Sequence, residues 1–227
     1  MKFSLIVPAA ANREEYKERL PRVFRLSLRG LPLCIEAVLG LNLQQFSDIY
    51  FTILRQHDEQ FRIASMLRVQ LNRVGLQRAK IVVLDELTSS QAATICETII
   101  KENISGPIFI KDADSFFSTE VCPQNGLAVY PLERLSRVNP QHKSYVAVDD
   151  MQFVTNTIEK RVIDHYFNAG GYCFEDASVF FDYFRRYSQQ QGLYLSHIVY
   201  AMLLDKYLFR PYFVEDYQDL HLELKHN

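Results

Sequence analysis

The chain has 227 residues, 48% apolar and 23% charged, with a formal net charge of −2; that length and mix suit one sizeable globular domain and do not force two. The near-neutral charge removes the broad electrostatic case for nucleic acid or an anionic membrane surface, and no apolar run approaches the roughly 20 residues that span a bilayer. Four scattered cysteines without a CxxC pair, and a short apolar start that runs into charges, argue against a zinc centre, a disulfide framework and a secretory leader, and for buried, reduced thiols in a cytoplasmic protein.

Residues 3–7 (FSLIV) read as a short buried strand that ends at Pro8 and runs into an alanine loop. The charge-dense stretch 13–25 reads as a solvated segment or lid, after which Pro32 opens a helix expected to reach Leu43. Residues 49–54 form a second strand, and the spacing of Phe61, Ala64, Leu67, Leu71 and Val74 predicts one helix over 57–74, stopped by Gly75. A third strand at 80–84 ends in Asp85-Glu86, and Thr88 or Ser89 is expected to cap a helix reaching Asn103. A fourth strand, 107–110, ends at Lys111-Asp112-Ala113-Asp114.

This alternation predicts a single-domain α/β/α sandwich with a mixed, mostly parallel central sheet. In such sheets ligands sit at the carboxyl ends of the strands, which is where 8–13, 85–88 and 112–114 fall. The second half differs: strands at 126–130, 144–148, 151–158 and 166–174 lie too close together for helical crossovers and predict antiparallel additions to the sheet. Helices follow at 176–187 and 195–207, then an extended stretch at 209–214 and a short closing helix. No repeat, low-complexity tract or Gly/Ser linker divides the chain, so it is expected to be one domain over 1–227.

Asp112 and Asp114 are the foremost candidate ligands, because a strand end aims carboxylates at the pocket mouth and hard oxygens suit Mg²⁺ bridging nucleotide phosphates. Asp216 or Asp219 would supply a further metal carboxylate. Glu159 and Lys160 follow a strand, where a carboxylate would accept from hydroxyls and an ammonium neutralise a phosphate. Gly170-Gly171 within a strand marks a bulge or the close approach of a ligand. No H-E-x-x-H, G-x-S-x-G, P-loop or G-x-G-x-x-G is present, which counts against metalloprotease, acyl-transfer, ATPase and dehydrogenase chemistry.

Taken in order, several segments resemble the sugar-phosphate nucleotidyltransferases along nearly the whole chain. They are Val7-Pro8-Ala9-Ala10, Leu20-Pro21-Arg22 with Gly30-Leu31-Pro32-Leu33, and the Thr88–Thr94 segment with Gln91. Next come Ile108–Asp112, Ser144-Tyr145-Val146 through Ile158-Glu159-Lys160, Ala169-Gly170-Gly171-Tyr172, and Tyr217-Gln218-Asp219. The resemblance implies a nucleotide-diphospho-sugar transferase-like (GT-A) fold, with a nucleotide-binding half over about 1–115 and an acceptor half over about 116–227, and transfer of a nucleoside monophosphate from a triphosphate to a small phosphorylated acceptor, as in surface-polysaccharide precursor synthesis. It implies Mg²⁺ on Asp112 with Asp219 or Asp216, and Asp114 nearby. Arg13 and Arg22 would contact the triphosphate, Gln91 and the backbone around Ala10 and Ala11 the base, and Glu159, Lys160 and Gly171 the acceptor. No nucleic-acid or membrane partner is implied, and a homo-oligomer is left open.

The first loop departs from that pattern, with Ala10-Ala11-Asn12-Arg13 where glycines wrap a triphosphate; Arg22, Ser90 and His221-Leu222 are further departures. Two alternatives therefore stand beside the enzyme: a catalytically impaired nucleotide-binding module of the same fold, and a nucleotide-sugar glycosyltransferase using Asp112-x-Asp114.

Overall fold

The computed structural model describes residues 2–10, 19–135 and 143–220. β1 (Ser4–Pro8), β2 (Asp48–Leu54), β3 (Lys80–Leu84) and β4 (Ile108–Lys111) form the first half of one sheet, in the spatial order β3-β2-β1-β4 with every pair parallel. These strands are mostly apolar; β1, β2 and β4 are buried along nearly their whole length because both faces are covered, and β3 at the edge is partly exposed. Leu5, Val7 and Phe109 point into one core with Phe51 and Leu67, whereas Ile6, Ile108 and Ile110 point into the other with Ile95 and Phe180.

The helices are shorter or more divided than their periodicity predicts. α1 is only Leu33–Glu36, because the chain turns at Gly40 to pass beside Phe117, where a Cβ would lie 2.1 Å from the carbonyl oxygen. The expected helix over 57–74 is two, α2 (Arg55–Phe61) and α3 (Ile63–Arg73), separated by Arg62 in the left-handed region at φ 54°. The break is stabilised locally: Asp58 accepts from Arg62 N through its carbonyl (2.7 Å) and from Ala64 N through Oδ1 (2.7 Å). α4 (Gln91–Glu102) is capped by neither Thr88 nor Ser89 but by Ser90, whose hydroxyl accepts from Ala93 N.

The antiparallel additions begin with β6 (Gly126–Pro131), β7 (Ser144–Val148), β8 (Val154–Glu159) and β9 (Tyr166–Phe174). β9 pairs with β4, β6 and β7 and is the seam between the two halves; β8 continues from β7. α5 (Ala177–Tyr187) and α6 (Leu195–Leu204) cover the same face as α4, and β10 (Arg210–Phe213) joins the edge parallel to β6. The sheet is thus mixed, with the parallel pairing concentrated in the first half.

Two strands escaped the sequence reading. β5 (Ser115–Ser118) pairs with β11 (Glu215–Asp219) as a separate antiparallel ribbon, so the chain continues after Val214 as a strand. The short closing helix expected of the tail falls largely on residues 221–227, which lie outside the described residues. Cys34, Cys96 and Cys173 are buried, but Cys122 is exposed and departs from the expectation of four buried thiols. Among the described residues no helix is long and apolar enough to cross a membrane.

Asp58→Ala removes the side-chain acceptor of Ala64 N at the start of α3 and leaves the backbone bond to Arg62 N in place. We expect it to lower stability by about 1 kcal/mol in urea unfolding, the usual value of a lost N-cap acceptor; an unchanged midpoint would show that the break at Arg62 holds without it.

Candidate active site at the β4–β9 seam

β4 delivers Asp112 to the carboxyl end of the parallel half, where α4 begins and β9 passes. Asp112 N donates to the Gly170 carbonyl (2.8 Å), and its Oδ1 accepts from Gln91 Nε2 (2.6 Å). The approach is close enough to require glycine. Gly170 has φ +96°, and a Cβ on it would lie 2.6 Å from Ser115 Oγ and 2.9 Å from Asp112 Cβ. Asn168 holds the kink, its Oδ1 accepting from Gly170 N (2.7 Å) and Gly171 N (3.2 Å). Gly171 faces Lys111 in register, and a Cβ there would press on Ala128, Phe109 and Phe117. The expected glycine feature is thus a backbone contact with the Asp112 turn.

Beneath the turn lies Lys111, a fully buried lysine. Its ammonium donates to the Asp112 carbonyl (3.0 Å), the Ser115 carbonyl (2.7 Å) and Ser115 Oγ (2.8 Å), and stands 4.3 Å from the Phe117 ring centroid. Ser115 Oγ in turn donates to the Ala169 carbonyl (2.8 Å), tying the turn to β9. Burial depresses the lysine to about 8, against the opposing pull of Asp112 and Asp114. The Asp112 carboxyl moves the other way: burial raises it first and the like charge of Asp114 adds to that, with Lys111 opposing.

Asp219 sits opposite Ser115 in the β5–β11 ribbon, and Leu220 N donates to the Asp114 carbonyl (3.1 Å), so the chain's closing strand lies against the Asp112–Asp114 turn. Asp219 Oδ2 accepts from Lys143 Nζ (3.1 Å), which also donates to the Tyr217 hydroxyl. Asp216 lies elsewhere, at the exposed bulged end of the ribbon, where its carboxylate accepts from Ser118 Oγ (3.2 Å).

On the other side of β9, Glu159 Oε2 accepts from Ser196 Oγ (2.9 Å) and from Ser144 Oγ. The Tyr172 hydroxyl is held well above its ordinary value first by burial, then by the charges of Asp112 and Glu159. Lys160 is exposed at φ 60°, its ammonium donating to the Tyr194 hydroxyl (2.6 Å).

The structure therefore brings Gln91, Asp112, Gly170 and Gly171 into contact and sets Asp114 and Asp219 beside them. Glu159 and Lys160 form a flank across Tyr172, and Asp216 is not part of the group. Ala10 is buried at the end of β1, and Arg22 opens a 3-10 turn at Arg22–Phe24. Ala11 and Arg13 lie outside the described residues. Asp85, at a strand end that the sequence also singled out, is engaged instead by Arg55 (2.5 Å) and Lys101 (3.6 Å) on an exposed rim. Lys111, Lys143, Asn168 and Tyr217 were not nominated. A lysine adjoining an apolar strand was the one visible signal, for Lys111; nothing local marks Lys143.

No protein-family model matches the chain, and no curated protein matches it in sequence. Solved structures do. The nucleoside-diphosphate-sugar pyrophosphorylase of Vibrio cholerae RC9 matches with TM-score 0.74 and 17% identity, covering 92% of this chain and 91% of that one. The inositol-1-phosphate CTP transferase of T. maritima matches with TM-score 0.73 and 15% identity over 98% and 91%. A UDP-glucose pyrophosphorylase complexed with UDP-glucose matches with TM-score 0.70 and 10% identity over 97% and 94%. The fold is the one that the sequence resemblance implied, a GT-A-like α/β sandwich with a mixed sheet.

Two outcomes test this geometry. Gly170→Ala should destabilise by at least about 2 kcal/mol, since left-handed strain and a steric conflict with the Asp112 turn combine; a loss within 0.5 kcal/mol, on the order of a neutral surface change, would show that the kink tolerates a side chain. The second concerns Lys111 in metal-free protein. Its folded value of about 8 lies below the ordinary 10.5, so the unfolded chain binds more protons between these limits and stability rises with pH there, by up to about 1.4 kcal/mol per pH unit. Lys111→Met should lack that rise relative to wild type when urea unfolding is compared at pH 7.5 and 9.5, and parallel profiles would exclude the lysine as its source.

Proposed function

We propose that this chain is a nucleotidyltransferase that transfers a nucleoside monophosphate from a triphosphate to a sugar phosphate or similar small phosphorylated acceptor, with release of pyrophosphate. The observation that carries the reading is the seam itself: a like-charged carboxylate pair at the end of β4 is contacted by the first residue of α4, and its charge and that of Glu159 on the antiparallel half both reach the Tyr172 hydroxyl of β9. Such an arrangement supplies two adjoining sub-sites, one for a charged phosphate chain and one for a hydroxyl-bearing acceptor.

Magnesium fits the first. The donors are hard carboxylate oxygens, and the burial and repulsion that raise Asp112 are what a divalent cation relieves. Among the described residues no three His, Cys, Asp or Glu side chains converge on one point. Two carboxylates suffice for Mg²⁺, which keeps waters and takes phosphate oxygens for its remaining positions. When bound, the ion would neutralise charge on the triphosphate and the leaving pyrophosphate.

In the reaction, an oxygen of the acceptor phosphate bonds to the α-phosphorus of the triphosphate, and the bond from that phosphorus to the bridging oxygen breaks as pyrophosphate departs. No covalent intermediate with the protein is required, so the residues act by placement and charge. Asp112 and Asp114 would hold the ion. Gln91, at the start of α4, fixes the Asp112 carboxylate and adjoins the place for the base. Arg22 and, from the first loop, Arg13 with the backbone at Ala10 and Ala11 would meet the triphosphate. Glu159 would accept from acceptor hydroxyls and Lys160 face its phosphate, released from Tyr194. A pathway role in surface-polysaccharide precursor synthesis rests on the resemblance. The impaired binding module remains the second reading, because Ala10 puts a buried methyl where the first loop needs open backbone.

Titration calorimetry with ATP, CTP, GTP, UTP and dTTP, with and without Mg²⁺, separates the two. Selective, Mg²⁺-dependent binding of one triphosphate followed by pyrophosphate release with a sugar phosphate is expected; binding without release would favour the module. Asp112→Asn should weaken the Mg²⁺-dependent binding at least about tenfold, the scale of one lost charged contact, while unchanged affinity would remove Asp112 from the site. Lys160→Ala should weaken acceptor binding more than nucleotide binding, and equal losses would undo the division of the cleft.

A further inference from the structure

Lys143 stands immediately before β7, yet its side chain belongs to the far end of the chain. The ammonium donates to Asp219 Oδ2 (3.1 Å) and to the Tyr217 hydroxyl, and lies 5.0 Å from the Tyr217 ring centroid and 5.2 Å from that of Phe167. Only 17% of the lysine side chain and 28% of the Asp219 side chain are exposed. A pair shielded to this degree, walled by two aromatic rings, is not a loose surface contact.

The pair also borders the Asp112–Asp114 turn. Leu220, next to Asp219, hydrogen-bonds the Asp114 carbonyl. The Tyr217 hydroxyl is pushed up by burial and then by Asp219, Asp114 and Asp112, and the positive charge of Lys143 is felt at Asp112. Three carboxylates thus share one region, and among the described residues no set of three meets at a single point able to take a metal ion. Asp219 is paired with an ammonium, Lys143, whose charge also reaches Asp112.

We propose that Lys143 is a resident cation of this site: it takes Asp219 out of metal coordination, so that the chain binds its divalent ion through Asp112 and Asp114 and uses Lys143 as the second positive charge beside the phosphates. This rests on the nucleotidyltransferase reading given above, and it replaces the sequence-based assignment of Asp219 as a metal ligand. The physical ground is the cost of the alternative. Moving Asp219 onto a metal would leave a poorly hydrated ammonium between two rings with its carboxylate partner withdrawn, and an unpaired, shielded charge is costly. An ammonium is a compact point charge with three donors, suited to hold one carboxylate and still face an anion.

The test uses Mn²⁺ alone, followed by electron paramagnetic resonance, with the full chain and its variants. Asp219→Asn should bind Mn²⁺ within about twofold of wild type, since a carboxylate that holds an ammonium contributes little to the ion. Lys143→Met should bind it several-fold more tightly, because one opposing charge is gone and Asp219 is released, a change of about 1 kcal/mol or fivefold. The gain should vanish in the Lys143→Met/Asp219→Asn double variant. Lys143→Gln repeats the test if the methionine variant does not fold, thermal melting being the check.

Weakening of Mn²⁺ binding by Asp219→Asn comparable to that by Asp112→Asn would overturn the inference while leaving the proposed function standing. So would unchanged or weaker binding in both lysine variants, or a gain that persists in the double variant. Undiminished binding in Asp112→Asn would remove the metal site itself, and with it both readings.

Discussion

Where β4 meets β9, two kinds of sheet are joined through a contact that leaves no room for a side chain. The parallel half ends at Asp112, the antiparallel half turns at Gly170, and the backbone bond between them (2.8 Å) forces the two segments together. Everything placed at the cleft follows from this bond. It fixes the direction of the Asp112–Asp114 turn and sets Gly171 opposite Lys111 and Tyr172 opposite Ile110. A glycine at φ +96° is the backbone solution, and the Asn168 amide that caps both following N–H groups keeps it from relaxing.

The electrostatics of the turn have the same origin. A carboxylate cluster at a strand end would repel itself, and its backbone carbonyls would point into an apolar core. Lys111 answers both problems from below, giving its three donors to two carbonyls and a hydroxyl while its charge offsets Asp112 and Asp114. Burying an ammonium is costly, as its depressed value records, and it is tolerated because every donor has a partner. Lys143 provides a second ammonium, paired with Asp219. The acidic residues of this region are therefore accompanied by two ammonium groups, both of whose charges reach Asp112.

Much of this was legible in the sequence, for identifiable reasons. The buried strands declared themselves by continuous apolar runs, and β3 fell where 80–84 predicted it. Asp112 was found because a strand end is where an α/β sheet presents its chemistry. The failures have equally specific causes. Periodicity carried a helix through Arg62, because the left-handed break there depends on Asp58 hydrogen bonds and not on a glycine or proline. The β5–β11 ribbon joins segments about a hundred residues apart, each too short and too polar to signal a strand alone. Lys143 is invisible for the same reason: its partners lie 74 and 76 positions away.

The acceptor side gives the arrangement its direction. Glu159 is held by two serine hydroxyls, one from β7 and one from α6, so its carboxylate is an oriented acceptor with its negative charge only partly satisfied. Burial first, then the charges of Asp112 and Glu159, keep the Tyr172 phenol protonated, so it adds no charge of its own to the region that both carboxylates reach. That neutrality suits the reaction proposed above, in which two phosphorylated molecules would approach each other closely. Under the proposed function their mutual repulsion would be offset by positive charge at the Asp112–Asp114 turn, from Lys111, Lys143 and a divalent ion, while the remainder of the acceptor would be held by hydrogen bonds. The two lysines act at the same turn that the glycine kink fixes, so charge neutralisation and placement depend on a single piece of backbone geometry.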